Sequence, residues 1–236
     1  MSLQQIIEYD KELFFWLNGG DSLFWDGVMK VITSTTFWIP MYVVLAYVLI
    51  KNNSVKGFLL TLLAIVMTVL LCDQIASGFC KPYFERFRPT QDPYLMYLVD
   101  IVDGFRGGRF GFMSSHACNT FGIFMFLTLL LRNTSISFLL FIWAVINSYS
   151  RIYLGVHYPS DILCGCVMGC IVALIVYTIY SIILRKYVYV SRDFHRVSAV
   201  YTKSGYLMSD IGVLNLVFLI TYSIIPIIAL FRLFYI

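Results

Sequence analysis

The chain has 236 residues, of which 60% are hydrophobic and 13% charged, against about 45–50% and about 25% in an ordinary globular protein. Its 17 Lys and Arg and 13 Asp and Glu, a formal net charge of +4, are too few to cover a soluble surface of this size, and a disordered or nucleic-acid-binding chain would need far more charge. With a mean hydropathy of +0.81, the sequence reads as an all-α polytopic membrane bundle, one domain over residues 1–236. The first twenty residues carry Glu8, Asp10, Lys11 and Glu12 and lack the basic start and long apolar core of a secretory signal. Leu3, Ile6, Ile7, Leu13, Phe14, Trp16 and Leu17 predict instead a short amphipathic helix at the membrane interface, closed by a turn at Asn18-Gly19-Gly20-Asp21.

Spanning segments need about 20 predominantly apolar residues. Six are predicted: Val28–Ile50, Gly57–Phe79, Gly111–Leu131, Ser135–Tyr149, Ile162–Leu184 and Ile211–Phe231. The fourth is short, so five spans with a re-entrant fourth is the alternative. Asp73-Gln74 is a polar pair inside the second span, either a functional site or a helix end reaching water or a neighbouring Lys. The six cysteines fall in or beside apolar runs, which favours packing over disulfides or a metal site.

Two connections are long, the charged Cys80–Phe110 and the basic Arg185–Asp210. Six spans place both termini and the connections after spans two and four on one face, and divide the 17 Lys and Arg nine to eight between the faces. Charge therefore orients the protein poorly. Setting aside Lys81, Arg88 and Arg151 as recruited for chemistry favours a cytoplasmic Arg185–Asp210 loop.

Three polar clusters share the other face: Lys81 to Pro89, Ser114-Ser115-His116, and Ser150-Arg151 through His157 to Asp161. Cations, imidazoles, serines and helix N-termini make an inventory for a phosphoryl group. Pro159-Ser160-Asp161 reads as the first turn of span five, from which Asp161 can reach back to His157. A carboxylate on Nδ1 leaves Nε2 as a nucleophile or a base, and His116 is a second proton-transfer group. Two-metal phosphatases want several convergent carboxylates; only Asp161 is well placed, so neither a metal nor another cofactor is expected. Arg86, Lys30, Arg132 and Arg232 read as interfacial anchors. Arg106 and Arg109, among Gly104, Gly107, Gly108 and Gly111, read equally as contacts to a second phosphate or sugar head group and as a solvated loop. His195 is a loop residue without a patterned partner.

These clusters, in this order, resemble the signature of the type 2 phosphatidic acid phosphatase (PAP2) superfamily: K-x6-RP, PSGH, and SR-x5-H-x3-D. The first matches as Lys81, Arg88 and Pro89, and the third as Ser150, Arg151, His157 and Asp161. The second is Met113-Ser114-Ser115-His116, with Met and Ser where the pattern has Pro and Gly. The motif core, 81–161, covers about a third of the chain. The resemblance implies a helical-bundle lipid phosphatase working without metal. His157 would attack phosphorus to form a phosphohistidine, Asp161 would orient it, and His116 would protonate the departing oxygen. Lys81, Arg88, Arg151, Ser114 and the backbone N–H groups of Ser115 and His116 would hold the phosphate oxygens.

Implied substrates are phosphorylated membrane lipids: undecaprenyl pyrophosphate, phosphatidate, phosphatidylglycerol phosphate or a lipid A phosphate. The implied location is a bacterial inner membrane, with the site on the extracytoplasmic side. The alternatives are a lipid phosphotransferase using the same site and a transporter or channel for lipid-linked anions, with vanadate-dependent haloperoxidase chemistry a more distant third.

Overall fold

Ser34 interrupts what the sequence reads as the first span. The computed structural model describes residues 2–20, 22–188 and 199–234; His195, Arg192 and Arg196, and the side chain of Arg232, lie outside the described residues. Helix α1 (Leu3–Leu17) is followed by α2 (Leu23–Thr33), a 3₁₀ turn Thr35–Trp38, and α3 (Ile39–Asn52). The break between α2 and α3 has local causes. The Ser34 and Thr36 hydroxyls bond each other at 2.8 Å, and the buried Trp38 indole donates to the Ile32 carbonyl at 2.9 Å. Pro40 then opens α3, where its missing N–H costs nothing.

Helix α4 (Val55–Asp73) runs through a π-helical turn, Gln74–Cys80, into the short α5 (Lys81–Phe84). Pro82 cannot donate to the preceding turn and crowds its carbonyl, which accounts for the widened turn just before it. Helices α6 (Ser115–Leu131), α7 (Thr134–Tyr153), α8 (Pro159–Ile183) and α9 (Met208–Phe234) complete the bundle. Among the described residues five helical stretches are long and apolar enough to cross a membrane: Thr35–Asn52, Val55–Phe84, Thr134–Tyr153, Pro159–Val188 and Met208–Phe231. The predicted fourth span is thus a full 20-residue helix, and the shorter one is α6, at 17 residues. Its length is about 25 Å, and it is capped at Ser114 and stopped at Arg132 in the left-handed conformation.

Helix α6 sits at the centre, packed against α4, α7 and α8. Small residues let α6 and α8 approach: a Cβ on Gly165 would lie 2.6 Å from the Ser114 carbonyl oxygen, and one on Gly169 would collide with that of Cys118. The Cys72 thiol and the Thr68 methyl fill the space beside Gly122, and Cys72 and Cys118 are both buried. Gly27 on α2 meets Ala229 on α9 in the same way. Trp38, Trp143 and Tyr222 form an aromatic cluster joining the 3₁₀ turn before α3 to α7 and α9.

The bundle has two polar ends. At one, Asp210 accepts from Lys51 at 2.7 Å and Asn52 at 2.8 Å, and Ser204 donates to Leu131. At the other, α1 lies across the ends of α7 and α8. Phe14 packs edge-on to Tyr158 and Asn18 donates to the Tyr153 carbonyl at 2.8 Å. Trp16 of α1 is 81% exposed, and Ile6 and Ile7 are also exposed, so the helix turns apolar side chains outward.

Because α6 carries His116 and α8 begins at Asp161, the α6–α8 contact sets the spacing of the motif residues. Gly169→Val should lower the thermal unfolding midpoint in detergent, by the equivalent of about 1–3 kcal/mol for overpacking. An unchanged midpoint would mean the helices do not touch there.

Candidate active site

The turn that presents His157 depends on Gly155. Its φ is +73°, and a Cβ there would lie 2.6 Å from Val99, so both the backbone and the space demand glycine. Two residues on, His157 is 2% exposed and Asp161, in the first turn of α8, is fully buried. One Asp161 carboxylate oxygen, Oδ2, accepts the Tyr158 N–H at 3.0 Å and lies 3.4 Å from His157 Nδ1. On the far edge of the ring, Arg88 Nη1 is 3.4 Å from Nε2. Imidazole and carboxylate therefore stand in the order that fixes a ring with Nε2 facing a cation.

Arg88 is itself fastened. Its Nε donates to the Phe110 carbonyl at 3.1 Å and its Nη1 to that of Val156 at 3.3 Å. The glycine-rich segment covers it: Gly107 has a φ of +66°, and a Cβ there would lie 3.0 Å from Arg88 Nη1. Lys81 Nζ donates to Ser77 Oγ at 2.8 Å and Ser115 Oγ at 2.9 Å, and Ser77 in turn donates to Asp73. The Asp73 carboxylate in the second span is thereby linked to Lys81 along one helical face. Ser115, where the motif has glycine, supplies the hydroxyl that accepts from Lys81.

Ser114 caps α6. Its Oγ accepts from the Ala117 N–H at 3.4 Å, and its own N–H donates to the Asp161 carbonyl at 3.1 Å. Arg151 Nη1 donates to Thr33 at 2.8 Å, while its buried Nε has no partner among the described residues. His116, half-buried at the start of α6, is close enough to interact electrostatically with both Arg151 and His157. The structure thus gathers Lys81, Arg88, Ser114, Ser115, His116, Arg151, His157 and Asp161 at one end of the bundle.

Arg106 and Arg109 are engaged differently. Arg106 donates to the Thr90 carbonyl at 3.1 Å and receives the Thr90 hydroxyl on its own carbonyl at 2.7 Å. Arg109 stacks over Phe87 and Phe110. Both are exposed and brace the loop that carries them.

Two residues were missed. Arg86, expected as an interfacial anchor, donates to Asp161 Oδ1 at 2.9 Å and to Asp10 Oδ2 at 2.6 Å. Asp10, which the sequence offered only as one of the charges that argue against a secretory signal, is buried. Its position four residues before Phe14, the inward-facing aromatic of α1, is the one signal that could have found it. Lys30 pairs with Asp103. A groove of about 590 Å³ opens beside Arg86, lined by Ile7, Lys11, Phe84, Phe112 and Tyr158.

Burial holds the His157 pKa well below the usual 6.5, and Arg88, Arg151, Lys81 and His116 push in the same direction. Burial opposes the charge on Arg86, but Asp161 and Asp10 outweigh it and leave its pKa raised; for Arg88 burial wins over Asp161 and the pKa is lowered. Among the described residues no three His, Cys, Asp or Glu side chains converge as a metal-holding set.

Fold and site together define an integral membrane helical bundle with a buried imidazole–carboxylate pair facing a cluster of cations. The chain belongs to the PAP2 superfamily, whose model matches residues 58–185. It is similar to the lipid A 4′-phosphatase of Bacteroides thetaiotaomicron, 40% identical over 169 residues, covering 71% of this chain and 75% of that one. The lipid A 4′-phosphatase of Porphyromonas gingivalis is 34% identical over 218 residues, covering 92% and 91%. In fold the chain is similar to the crystal structure of a transmembrane PAP2-type phosphatidylglycerolphosphate phosphatase from Bacillus subtilis. The TM-score is 0.57 at 22% identity, over 77% of this chain and 89% of that one.

A buried ring with a depressed pKa stays neutral where a free histidine would charge. In the ligand-free protein His157 should remain unprotonated as the pH falls through 6.5, read from ¹⁵N shifts of the ring nitrogens. The sign for stability follows from linkage: the unfolded chain takes up this proton first, so the contribution of His157 is intact above about 6.5 and is lost as the pH falls below it. Titration near 6.5 in the folded state would contradict the buried setting.

Proposed function

We propose that this protein is a single-domain membrane lipid phosphatase that hydrolyses a phosphomonoester on a lipid head group through a phosphohistidine on His157. Lipid A 4′-phosphate is the first candidate substrate, since two relatives that this chain matches over most of their length carry that activity in their names. The observation that carries the reading is the ring of His157, with Asp161 at Nδ1 and Arg88 at Nε2, both 3.4 Å away.

In the proposed reaction a phosphate dianion enters between Nε2 and the cations, and Arg88 turns from the ring to a phosphate oxygen. Lys81 and Arg151 take up further charge, Arg151 through its unpartnered Nε. Nε2 attacks phosphorus, and the new N–P bond forms as the P–O bond to the lipid breaks. His116 gives its proton to the departing alkoxide, which cannot leave readily without one. Asp161 stabilises the positive charge that phosphorylation of Nε2 places on the ring. Water, deprotonated by His116, then attacks the phosphohistidine, releases inorganic phosphate and restores His157. Each histidine is used twice, and neither metal nor redox cofactor takes part.

The site end of the bundle is proposed to face the extracytoplasmic side of the bacterial cytoplasmic membrane, with Arg185 and Lys186 at the other end. A lipid can then reach His157 from the side while its chains stay in the bilayer.

Detergent-purified protein in EDTA should release inorganic phosphate from lipid A 4′-phosphate. His157→Ala should reduce that release by about 10³-fold or more with the protein still folded. His116→Ala should cost about 10²–10⁴-fold on the lipid and much less on an activated aryl phosphate, whose leaving group needs no proton. Wild-type turnover by His157→Ala would remove it as the nucleophile, and equal losses on both substrates would remove His116 as the acid. Transfer of the phosphate to an alcohol with none released would turn the reading to a phosphotransferase.

A further inference from the structure

Arg86 and Asp10 belong to none of the three motif clusters' matched positions, yet both reach the centre of the site. Arg86 Nη1 donates to Asp161 Oδ1 at 2.9 Å and to Ser160 Oγ at 2.6 Å, and Nη2 donates to Asp10 Oδ2 at 2.6 Å. Its guanidinium lies over the Tyr158 ring, 4.1 Å from the centroid. Asp10 closes the circuit: Oδ1 accepts the Ser160 N–H at 2.9 Å and Oδ2 the Ser160 hydroxyl at 2.5 Å. Four groups from three separate parts of the chain thus lock the first turn of α8 to α1 and to the segment before Arg88.

The consequence falls on Asp161. Its Oδ2 already serves two donors, the Tyr158 N–H and His157 Nδ1. A carboxylate held on that edge alone can still rotate about its χ2 bond. Arg86 takes the opposite oxygen and fixes the plane, and Asp10 fixes Arg86. An arginine left without Asp10 would keep one anionic partner in place of two and could turn toward the groove that it lines.

We propose that Arg86 and Asp10 are positioning residues of the reaction centre: Asp10, on the interfacial helix α1, holds Arg86, and Arg86 holds the carboxylate that orients the His157 ring. Neither touches the reacting atoms. The inference rests on the roles proposed above for His157 and Asp161, and it adds the amino-terminal helix to the parts on which turnover depends.

The test compares Arg86→Gln, Asp10→Asn and Asp10→Glu with the wild type, reading kcat and KM on the lipid phosphate and the ¹⁵N spectrum of the His157 ring. The ring signals are assigned with His→Gln variants of the other two histidines. The wild type should show a single tautomer with the proton on Nδ1. Arg86→Gln and Asp10→Asn should lower kcat by about 10–100-fold, the loss usual for an outer partner of a functional histidine, with KM nearly unchanged. Both should give a mixture of tautomers, and Asp10→Glu should restore most of the rate and the single tautomer. A raised KM at constant kcat would overturn the proposal and make Arg86 a substrate contact. An unchanged ring spectrum in Arg86→Gln would overturn it as well.

Should Arg86→Gln fail to fold, Asp10→Asn decides alone, being one contact further from the ring. The ring spectrum needs no turnover, so it tests this inference even where phosphate release fails and the phosphatase reading falls.

Discussion

Asp161 has its carboxylate sealed from solvent and divided among three donors, Arg86, the Tyr158 N–H and His157 Nδ1, while its backbone carbonyl takes the Ser114 N–H. A buried carboxylate without such partners is costly, and removing one partner of a buried charge is costlier than never having had the pair. The rest of the site follows from satisfying this one group. The start of α8, the start of α6, the turn at Gly155 and the loop before Arg88 must all arrive at the same place to do so. Ser114 carries that requirement into α6, because the residue that caps the helix also bonds Asp161. The close approach of α6 and α8 at Gly165 and Gly169 is what allows it.

Much of this was legible in the sequence because the relevant signals are local. Apolar runs separated by charged connections give the spans, and Pro159-Ser160-Asp161 marks a helix start whatever surrounds it. The i, i+4 spacing of His157 and Asp161 puts ring and carboxylate within reach once that start is placed. Motif spacing then brings Lys81, Arg88 and Arg151 to the same end, where the structure has them.

What was not legible depends on tertiary contact. The first span divides at Ser34 because a hydroxyl pair and the Trp38 indole stabilise a break that apolar composition hides. The short helix is α6 and not α7, since polar residues in the second half of α7, such as Asn147 and Ser148, are buried against neighbours and do not end it. Arg86 read as an anchor because its partners lie 76 and 75 residues away, at Asp10 and Asp161. No local pattern announces such a pair. Arg106 and Arg109 had glycines around them that suit an anion site and equally suit a loop folded over another side chain. In the structure Gly107 lies against Arg88.

The same geometry accounts for the chemistry as a whole. A buried ring whose pKa is held down, beside Arg88, Lys81 and Arg151, has little to do until an anion arrives, and a phosphate dianion is a ligand whose sign and oxygen geometry suit those cations. The most direct measurement of the account is to quench a reaction with lipid phosphate at high pH, where phosphohistidine survives, and to locate the phosphoryl group by mass spectrometry of the digested protein. The account predicts a phosphoryl group on His157 that appears within the first turnover and decays as phosphate is released. Turnover with no phosphorylated histidine at any time, or with the phosphoryl group on His116, would contradict it.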